Sequence, residues 1–319
     1  SDYKMDDTYV LGVQVPFYYV MTALDIYGTI AAKAHAYLIP KSKFLFPAYL
    51  VQYLYENKIN LLSWVPSALC MIANTNAFSV ADLSAIKLIV FGGEVMPIKQ
   101  LKAWQKAVPD AVYINAYGST EITDGCTYYI VDREFKDEDI LPIGIPYSNC
   151  DVLVIDEDGN PITDGVGELV VRGNSVGYGY YKDPEKTAEV FIQNPLNSCY
   201  PETVYKMGDL VRFNEYGELE YYGRKDFQIK YMGRRIELGE IEANVSSIDG
   251  VDENCCVFDS AKKRIVLFYS GAIDDKALLK TLRSKLPDYM QPRKINHLPE
   301  MPHNQNGKIN RKLLATQIS

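Results

Sequence analysis

Two rhythms of apolar and polar positions run along this chain, and one gives way to the other near residue 143. Before that point, short apolar runs stop at glycine or proline and are followed by stretches with helical spacing. Leu88-Ile89-Val90-Phe91 is a continuous apolar run ending at Gly92-Gly93, which predicts a strand buried on both faces. Residues 97–107 follow with helical spacing and a proline near the first turn. Residues 60–65 read as a short strand ending at Pro66. Tyr113-Ile114-Asn115-Ala116-Tyr117 reads as another, followed by a Gly-Ser-Thr loop. Residues 47–56 read as a helix, and residues 17–39 are apolar and aromatic with helical spacing around Asp25-Ile26-Tyr27-Gly28. Strands alternating with helices predict a parallel α/β layer.

Beyond residue 143, strand-like runs at 152–155, 168–171 and 219–222 alternate with the turn dipeptides Asp158-Gly159 and Asp164-Gly165. This predicts a small β-barrel or antiparallel sheet. After Gly223-Arg224-Lys225-Asp226 the pattern restarts with a hairpin (228–235), a helix (239–247), two strands (254–258 and 264–269) and a helix (275–285). The expected fold is therefore α/β. A partial large domain, residues 1–225, divides into an α/β layer (1–142) and a β-barrel-like part (143–225). A smaller α+β C-terminal domain follows at 226–319, within the usual size range.

Composition narrows the class. Of 319 residues, 47% are hydrophobic and 23% charged, enough for a substantial core. The net charge of -8 argues against a nucleic-acid face. No apolar run approaches the ~20 residues of a membrane helix, and no signal peptide opens the chain, so a cytoplasmic location is expected. The six cysteines form no Cys-x-x-Cys pair, and with only three histidines a His/Cys metal site is not expected. Cys255-Cys256 lies in an apolar run and reads as core. Gly173-Asn174-Ser175-Val176-Gly177-Tyr178-Gly179 suggests a glycine loop, but no Gly-Lys-Ser/Thr follows it, which speaks against a Walker-type site.

Several segments, in order, carry a resemblance: Phe91-Gly92-Gly93-Glu94, Asn115-Ala116-Tyr117-Gly118-Ser119-Thr120-Glu121, Gly167-Glu168-Leu169, Gly177-Tyr178 with Tyr180-Tyr181, Tyr205-Lys206-Met207-Gly208-Asp209-Leu210, Gly223-Arg224-Lys225-Asp226, Gly233-Arg234-Arg235-Ile236-Glu237-Leu238-Gly239-Glu240-Ile241-Glu242 and Asn306-Gly307-Lys308-Ile309. Together they resemble the adenylate-forming (AMP-binding) superfamily. The likeness is greatest to amino-acid adenylation domains of nonribosomal peptide synthetases and to D-alanine–carrier-protein ligases. It covers nearly the whole chain. It implies an ATP-dependent acid–thiol ligase using ATP/AMP and Mg²⁺. Such an enzyme forms an acyl or aminoacyl adenylate and passes it to the phosphopantetheine of a carrier protein or to CoA.

The reaction brings two anions together, so it needs positive charge and backbone donors. The resemblance makes Lys308 the catalytic lysine, Thr120 a phosphate-contacting hydroxyl and Glu121 the Mg²⁺-associated carboxylate. It places Asn115 and Tyr117 beside the adenine, the latter by ring stacking. Asp209 falls at the ribose hydroxyls, and Arg224 at the ribose or phosphates. Gly92, Gly93, Glu94, Ala116, Gly118 and Ser119 line the same nucleotide region. Val20, Met21, Leu24, Ser63, Phe91 and Asp124 line the acid pocket, Trp64 and Phe91 crowd it toward small substrates, and Asp226 is the hinge. The plain alternative for several of these residues is a turn or helix cap: Asp209 and Asp226 as turn residues, Gly92-Gly93 as a strand-ending turn.

Three departures matter. No stretch resembles the family's phosphate loop, T-S-G-[ST]-T-G-x-P-K-G, and the chain opens Ser1-Asp2-Tyr3. This predicts an N-terminally truncated fragment that is inactive alone. In Tyr19-Val20-Met21-Thr22-Ala23-Leu24-Asp25, Val20 stands where amino-acid-activating members place the carboxylate that anchors the amine, and an unpaired ammonium in an apolar pocket is costly. Asp124 is one residue that compensates; an acid without an α-amine is the other reading. The last motif, Met301-Pro302-His303-Asn304-Gln305-Asn306-Gly307-Lys308, is longer and more polar than usual. A non-catalytic binding or scaffold module of the same ancestry is the alternative to the ligase.

Overall fold

The structure is a computed structural model that describes residues 5–137, 139–225, 228–303 and 309–318. Backbone contacts divide it into two compact units, Ser1–Lys225 and Asp226–Ser319.

The first unit opens with strands β1 (Val10–Val13), β2 (His35–Leu38), β3 (Leu61–Trp64), β4 (Leu88–Gly92), β5 (Val112–Ser119), β6 (Asp124–Ile130) and β7 (Ile145–Pro146). They form one seven-stranded sheet in the order β2-β1-β3-β4-β5-β6-β7. The strands from β2 to β5 are parallel neighbours, and β6 and β7 add antiparallel. Alternation sorts the side chains to two faces. Leu62, Trp64, Ile89, Phe91 and Tyr113 bury one face together with Leu50, Leu54, Leu69, Leu101 and Trp104 from helices Pro47–Glu56, Pro66–Ala73 and Ile98–Ala107. The indole N–H of Trp64 donates to the Gly12 carbonyl at 2.7 Å and that of Trp104 to the Leu69 carbonyl at 2.9 Å, so neither large ring buries an unmet donor. Leu11, Leu61, Leu88, Val90 and Ile114 form the other face.

Within 17–39, where helical spacing was expected around Asp25-Ile26-Tyr27-Gly28, residues 22–32 are helical, with a widened π turn at Leu24–Gly28. Lys33 then takes a left-handed conformation (φ 55°), and the chain turns into β2, whose hydrogen bonds to β1 outweigh local helical spacing.

The turn-punctuated stretch is an antiparallel sheet of β8 (Cys150–Ile155), β9 (Gly167–Gly173), β10 (Phe191–Gln193), β11 (Thr203–Phe213) and β12 (Leu219–Arg224). The long β11 pairs with β9, β10 and β12, and its register shifts beside Gly208 (φ 71°).

The second unit pairs β13 (Gln228–Tyr231) with β14 (Arg234–Glu237), and β15 (Val251–Asp259) with β16 (Arg264–Gly271); β17 (Lys294–His297) runs parallel to β16. Helices Leu238–Ser246 and Asp275–Lys285 pack Ile241, Val245, Leu278 and Leu282 against Leu267 and Tyr269. Cys255 and Cys256 are buried here, as expected of core residues, and burial pushes the Cys255 thiol up to about 12. Among the described residues, no helix is long and apolar enough to cross a membrane.

Candidate functional site

The parallel strands β1, β3, β4 and β5 all point their carboxyl ends to one edge of the sheet. In open α/β sheets, ligands bind in the crevice outside those ends. Parallel register brings the sequence-selected segments side by side there. Ser63 lies opposite Val90, Phe91 opposite Trp64 and Asn115, and Gly92 opposite Ala116. The turn Thr120–Ile122 follows β5 directly, and Asp124 begins β6 opposite Ser119. Met21 packs on the helix-covered face and Leu24 on the other.

Packing accounts for part of the glycine motif. A Cβ on Gly92 would stand 2.4 Å from the Ala116 carbonyl oxygen, and one on Gly118 would stand 1.8 Å from that of Asp124. Both approaches demand glycine whether or not a ligand binds. Gly93 follows with φ 85°. Glu94 accepts the Ser67 amide at 2.9 Å and so caps the helix that begins at Pro66. Asn115 is tied by its side-chain amide to the Pro142 carbonyl at 2.8 Å, and Ala116 packs on the Leu24 face. Ser119 reaches the Met207 sulfur at 3.9 Å.

The core of the site is a buried polar triad. The Tyr117 hydroxyl donates to Asp209 Oδ2, and Arg224 Nη1 donates to Asp209 Oδ1 at 2.8 Å and to the Met207 carbonyl at 3.1 Å. Asp209 is 1% exposed. Burial and the Asp209 charge hold the Tyr117 hydroxyl well above its usual range. The register break beside Gly208 turns Asp209 to meet Arg224, its partner on β12. Each carboxylate oxygen keeps a second acceptor site after these bonds. Tyr117 lies within the apolar cluster of Ile122, Cys126 and Met207, beside the ring of Tyr221.

Around Thr120 and Glu121 the structure shows a partner that no local pattern could supply. The Tyr180 hydroxyl donates to Glu121 Oε1 at 2.7 Å, the Gly177 amide to the Glu121 carbonyl at 2.8 Å, and the Thr123 hydroxyl to the Ser175 carbonyl at 2.9 Å. The glycine-rich stretch 173–179 is thus a clamp on the carboxylate turn. The sequence marked this stretch through Gly177-Tyr178 and Tyr180-Tyr181, which carry part of the family resemblance, but not its contact with Glu121.

In the acid pocket region, Val20, Met21 and Leu24 are half-buried. Ser63 and Phe91 are fully buried, the latter in the core beside Trp64. Asp124 is half-buried, and burial pushes its carboxyl up to about 6. Asp25 was absent from the expected pocket. It is 2% exposed, and burial, then the charge of Asp124, pushes it up to about 7. Lys308 and Asp226 lie outside the described residues. Among the described residues, no group of three or more His, Cys, Asp or Glu could hold a metal ion.

Parallel strands whose carboxyl ends share one edge, a buried Tyr-Asp-Arg triad and a clamped carboxylate turn define an α/β protein with a candidate ligand site. The AMP-binding enzyme family model matches residues 1–181, more than half of the chain, and the AMP-binding enzyme C-terminal domain model matches residues 240–308. The chain belongs to the AMP-binding enzyme family. It is 31% identical to the D-alanine–D-alanyl carrier protein ligase of Bacillus cytotoxicus, an alignment spanning 100% of this chain and 65% of that protein. It is 34% identical to tyrocidine synthase 3 of Brevibacillus parabrevis, over 91% of this chain and 4% of that one. The crystal structure of IdnL1 superposes with a TM-score of 0.85 at 28% identity, over 93% of this chain and 62% of that one. The chain thus spans less than two thirds of the length of each of these proteins.

Proposed function

We propose that this protein activates a small carboxylic acid with ATP and hands the acyl group to the phosphopantetheine thiol of a carrier protein. In the first half-reaction a carboxylate oxygen bonds to the α-phosphorus while the bond to pyrophosphate breaks. The observation that carries this reading is the buried Tyr117–Asp209–Arg224 triad beside the Thr120–Glu121 turn, at the carboxyl ends of the sheet. In that role Asp209 accepts from the ribose hydroxyls, and Arg224 holds its carboxylate in place. Thr120 donates to a phosphate oxygen.

Glu121 suits Mg²⁺. It offers a hard carboxylate oxygen at the carboxyl end of β5, and Mg²⁺ is ordinarily held by one or two carboxylates together with substrate phosphates, not by a protein-only cage. A lone carboxylate beside a phosphate subsite matches that donor set. Tyr180 and the 173–179 clamp fix the direction in which that carboxylate points. Lys308 as the catalytic lysine rests on its sequence motif.

The names of the relatives support the acceptor: a carrier-protein ligase and a peptide synthase. The test is acid-dependent exchange of labelled pyrophosphate into ATP by the full-length protein. Exchange stimulated by small amino or carboxylic acids is expected. Tight binding of AMP without exchange for any acid would favour the scaffold module instead.

A further inference from the structure

We propose that Arg133 is a positioning residue for the nucleotide site: by clasping the turn of the β11–β12 hairpin, it holds Asp209 where a ribose can be gripped. The inference rests on the ribose role given to Asp209 above and adds a residue that lies outside the triad.

Arg133 follows β6 and reaches across to the second sheet. Its guanidinium donates through Nη1 to Glu218 Oε1 at 2.9 Å and through Nη2 to Glu218 Oε2. Three rings box the same group, with centroids 4.4 Å (Tyr216), 5.0 Å (Tyr129) and 5.2 Å (Phe135) from its central carbon. Asp132 adds a weaker contact at 3.6 Å. Tyr129 and Phe135 belong to the core of the first sheet, whereas Tyr216 and Glu218 lie in the turn between β11 and β12. A two-bond fork seated on aromatic faces fixes direction as well as distance. The hydrogen bonds from Arg133 hold the Glu218 carboxyl below its ordinary range. The turn is itself tightly built. Asn214 Oδ1 accepts the amides of Tyr216 and Glu218, its Nδ2 donates to Glu218 Oε2 at 2.9 Å, and Gly217 takes φ 74°. Whatever holds Glu218 therefore holds the whole turn.

The route from that turn to Asp209 has few other supports. β11 pairs with β9 at Tyr205 and Lys206 and again at Leu210 and Val211, but not at 207–209. Asp209 thus lies where β11 leaves the β9 ladder, and β12 supports it instead, with Arg224 opposite Asp209 and Gly223 opposite Leu210. The β11–β12 register shifts between Leu210 and Val211, so the site end and the turn end of the hairpin are two ladder pieces joined at an irregularity. Such breaks bend a strand pair, and attachment at both ends sets the angle. At the site end, Tyr117 from β5 reaches Asp209. At the turn end, Leu219 exchanges backbone hydrogen bonds with Ile143 and Gly144, and Arg133 holds Glu218 next to it. Without the clasp, the hairpin keeps its backbone bonds at Leu219 but loses the side-chain contact that resists rotation about them. A displacement of about 1 Å at an oriented group can cost about a hundredfold, so a smaller tilt is enough to loosen the grip on a ribose.

The test measures by calorimetry how the full-length protein binds AMP and 2′,3′-dideoxy-AMP, which lacks both ribose hydroxyls. The parent is expected to prefer AMP by about tenfold or more, since a site built to hydrogen-bond hydroxyls rejects the analogue lacking them. Arg133→Met keeps an apolar stem among the rings and removes the fork. It is expected to weaken AMP about fivefold to tenfold and to leave dideoxy-AMP within about twofold, so that the preference collapses. A residue that merely stabilised the fold would change both affinities alike or neither. Glu218→Gln should lower the preference in the same direction, and the double variant should be no worse than Arg133→Met alone, because the two side chains act through one contact. Dideoxy-AMP binding shows that each variant is folded, and Glu218→Gln decides the matter if Arg133→Met does not fold. An undiminished preference for AMP in the folded variant overturns the clasp and leaves acid activation untouched. A parent that binds both nucleotides equally overturns the ribose role of Asp209 and the clasp with it. A collapsed preference in a protein that exchanges pyrophosphate with no acid would instead sink the acid-activating reading and leave the clasp standing.

Discussion

Tyr180 and Glu121 are 59 positions apart and meet through a 2.7 Å hydrogen bond. Tyr180→Phe removes only the hydroxyl. We expect it to raise the Mg²⁺ concentration needed for half-maximal pyrophosphate exchange several-fold, with AMP affinity unchanged and a stability loss near 1 kcal/mol. Titration of Mg²⁺ alongside metal-free AMP binding checks this, and an equal loss of both would reduce Tyr180 to a packing role. At Asp209, Arg224→Met would leave a buried carboxylate without its cation, a loss of about 3–5 kcal/mol that urea unfolding can measure. Asp25 gives the pH prediction. Its folded value, about 7, lies above the ordinary 3.8. The folded state therefore binds the proton more tightly, and stability falls as pH rises from about 4 to about 7. Below that window both states are protonated and the penalty is gone. Asp25→Asn should make the protein more stable than its parent at pH 8, on the order of 4 kcal/mol, and little different at pH 4. Urea midpoints at the two pH values decide it. A parent more stable than the variant at pH 8 would mean that Asp25 has a cationic partner in the fold.

Helices and strands with strong local signals were legible in the sequence. Residues 47–56 and 275–285 form helices over those same residues. The first starts on Pro47 and the second is capped by Asp274, whose carboxylate accepts the amides of Lys276 and Ala277. The run 88–91 is a strand because an apolar stretch ending in two glycines has few other uses. β1 and β2 were missed: each is four residues long, and β2 is exposed throughout, so neither has a pattern of its own. β1 depends on pairing with β3 and β2 on pairing with β1, contacts that no window of local sequence contains. The site was legible by segment and hidden by contact. The motif order selected Tyr117, Asp209, Arg224 and Glu121, but not the bonds that join them. Asp25 escaped because its weight lies in what fails to surround it. At this scale Gly92→Ala is the sharpest probe. Its Cβ would press on the Ala116 carbonyl at the carboxyl end of the β4–β5 ladder. A loss of about 2 kcal/mol or more in thermal or urea unfolding is expected, and a neutral effect would show that the strands separate easily there.

For the whole molecule, the two compact units differ in what they contribute. Ser1–Lys225 holds the triad and the clamped turn, while Asp226–Ser319 includes Lys308, whose proposed role comes from its motif alone. Lys308→Ala in the full-length protein should suppress adenylate formation far more than thioester formation from supplied adenylate, and equal loss of both would remove its assignment. The proposed activation of an acid with ATP is tested by exchange of labelled pyrophosphate into ATP across small amino and plain acids. Exchange that depends on Mg²⁺ and on an added small acid is expected. An absence of exchange with every acid, in a folded full-length protein that binds AMP, would rule that activity out.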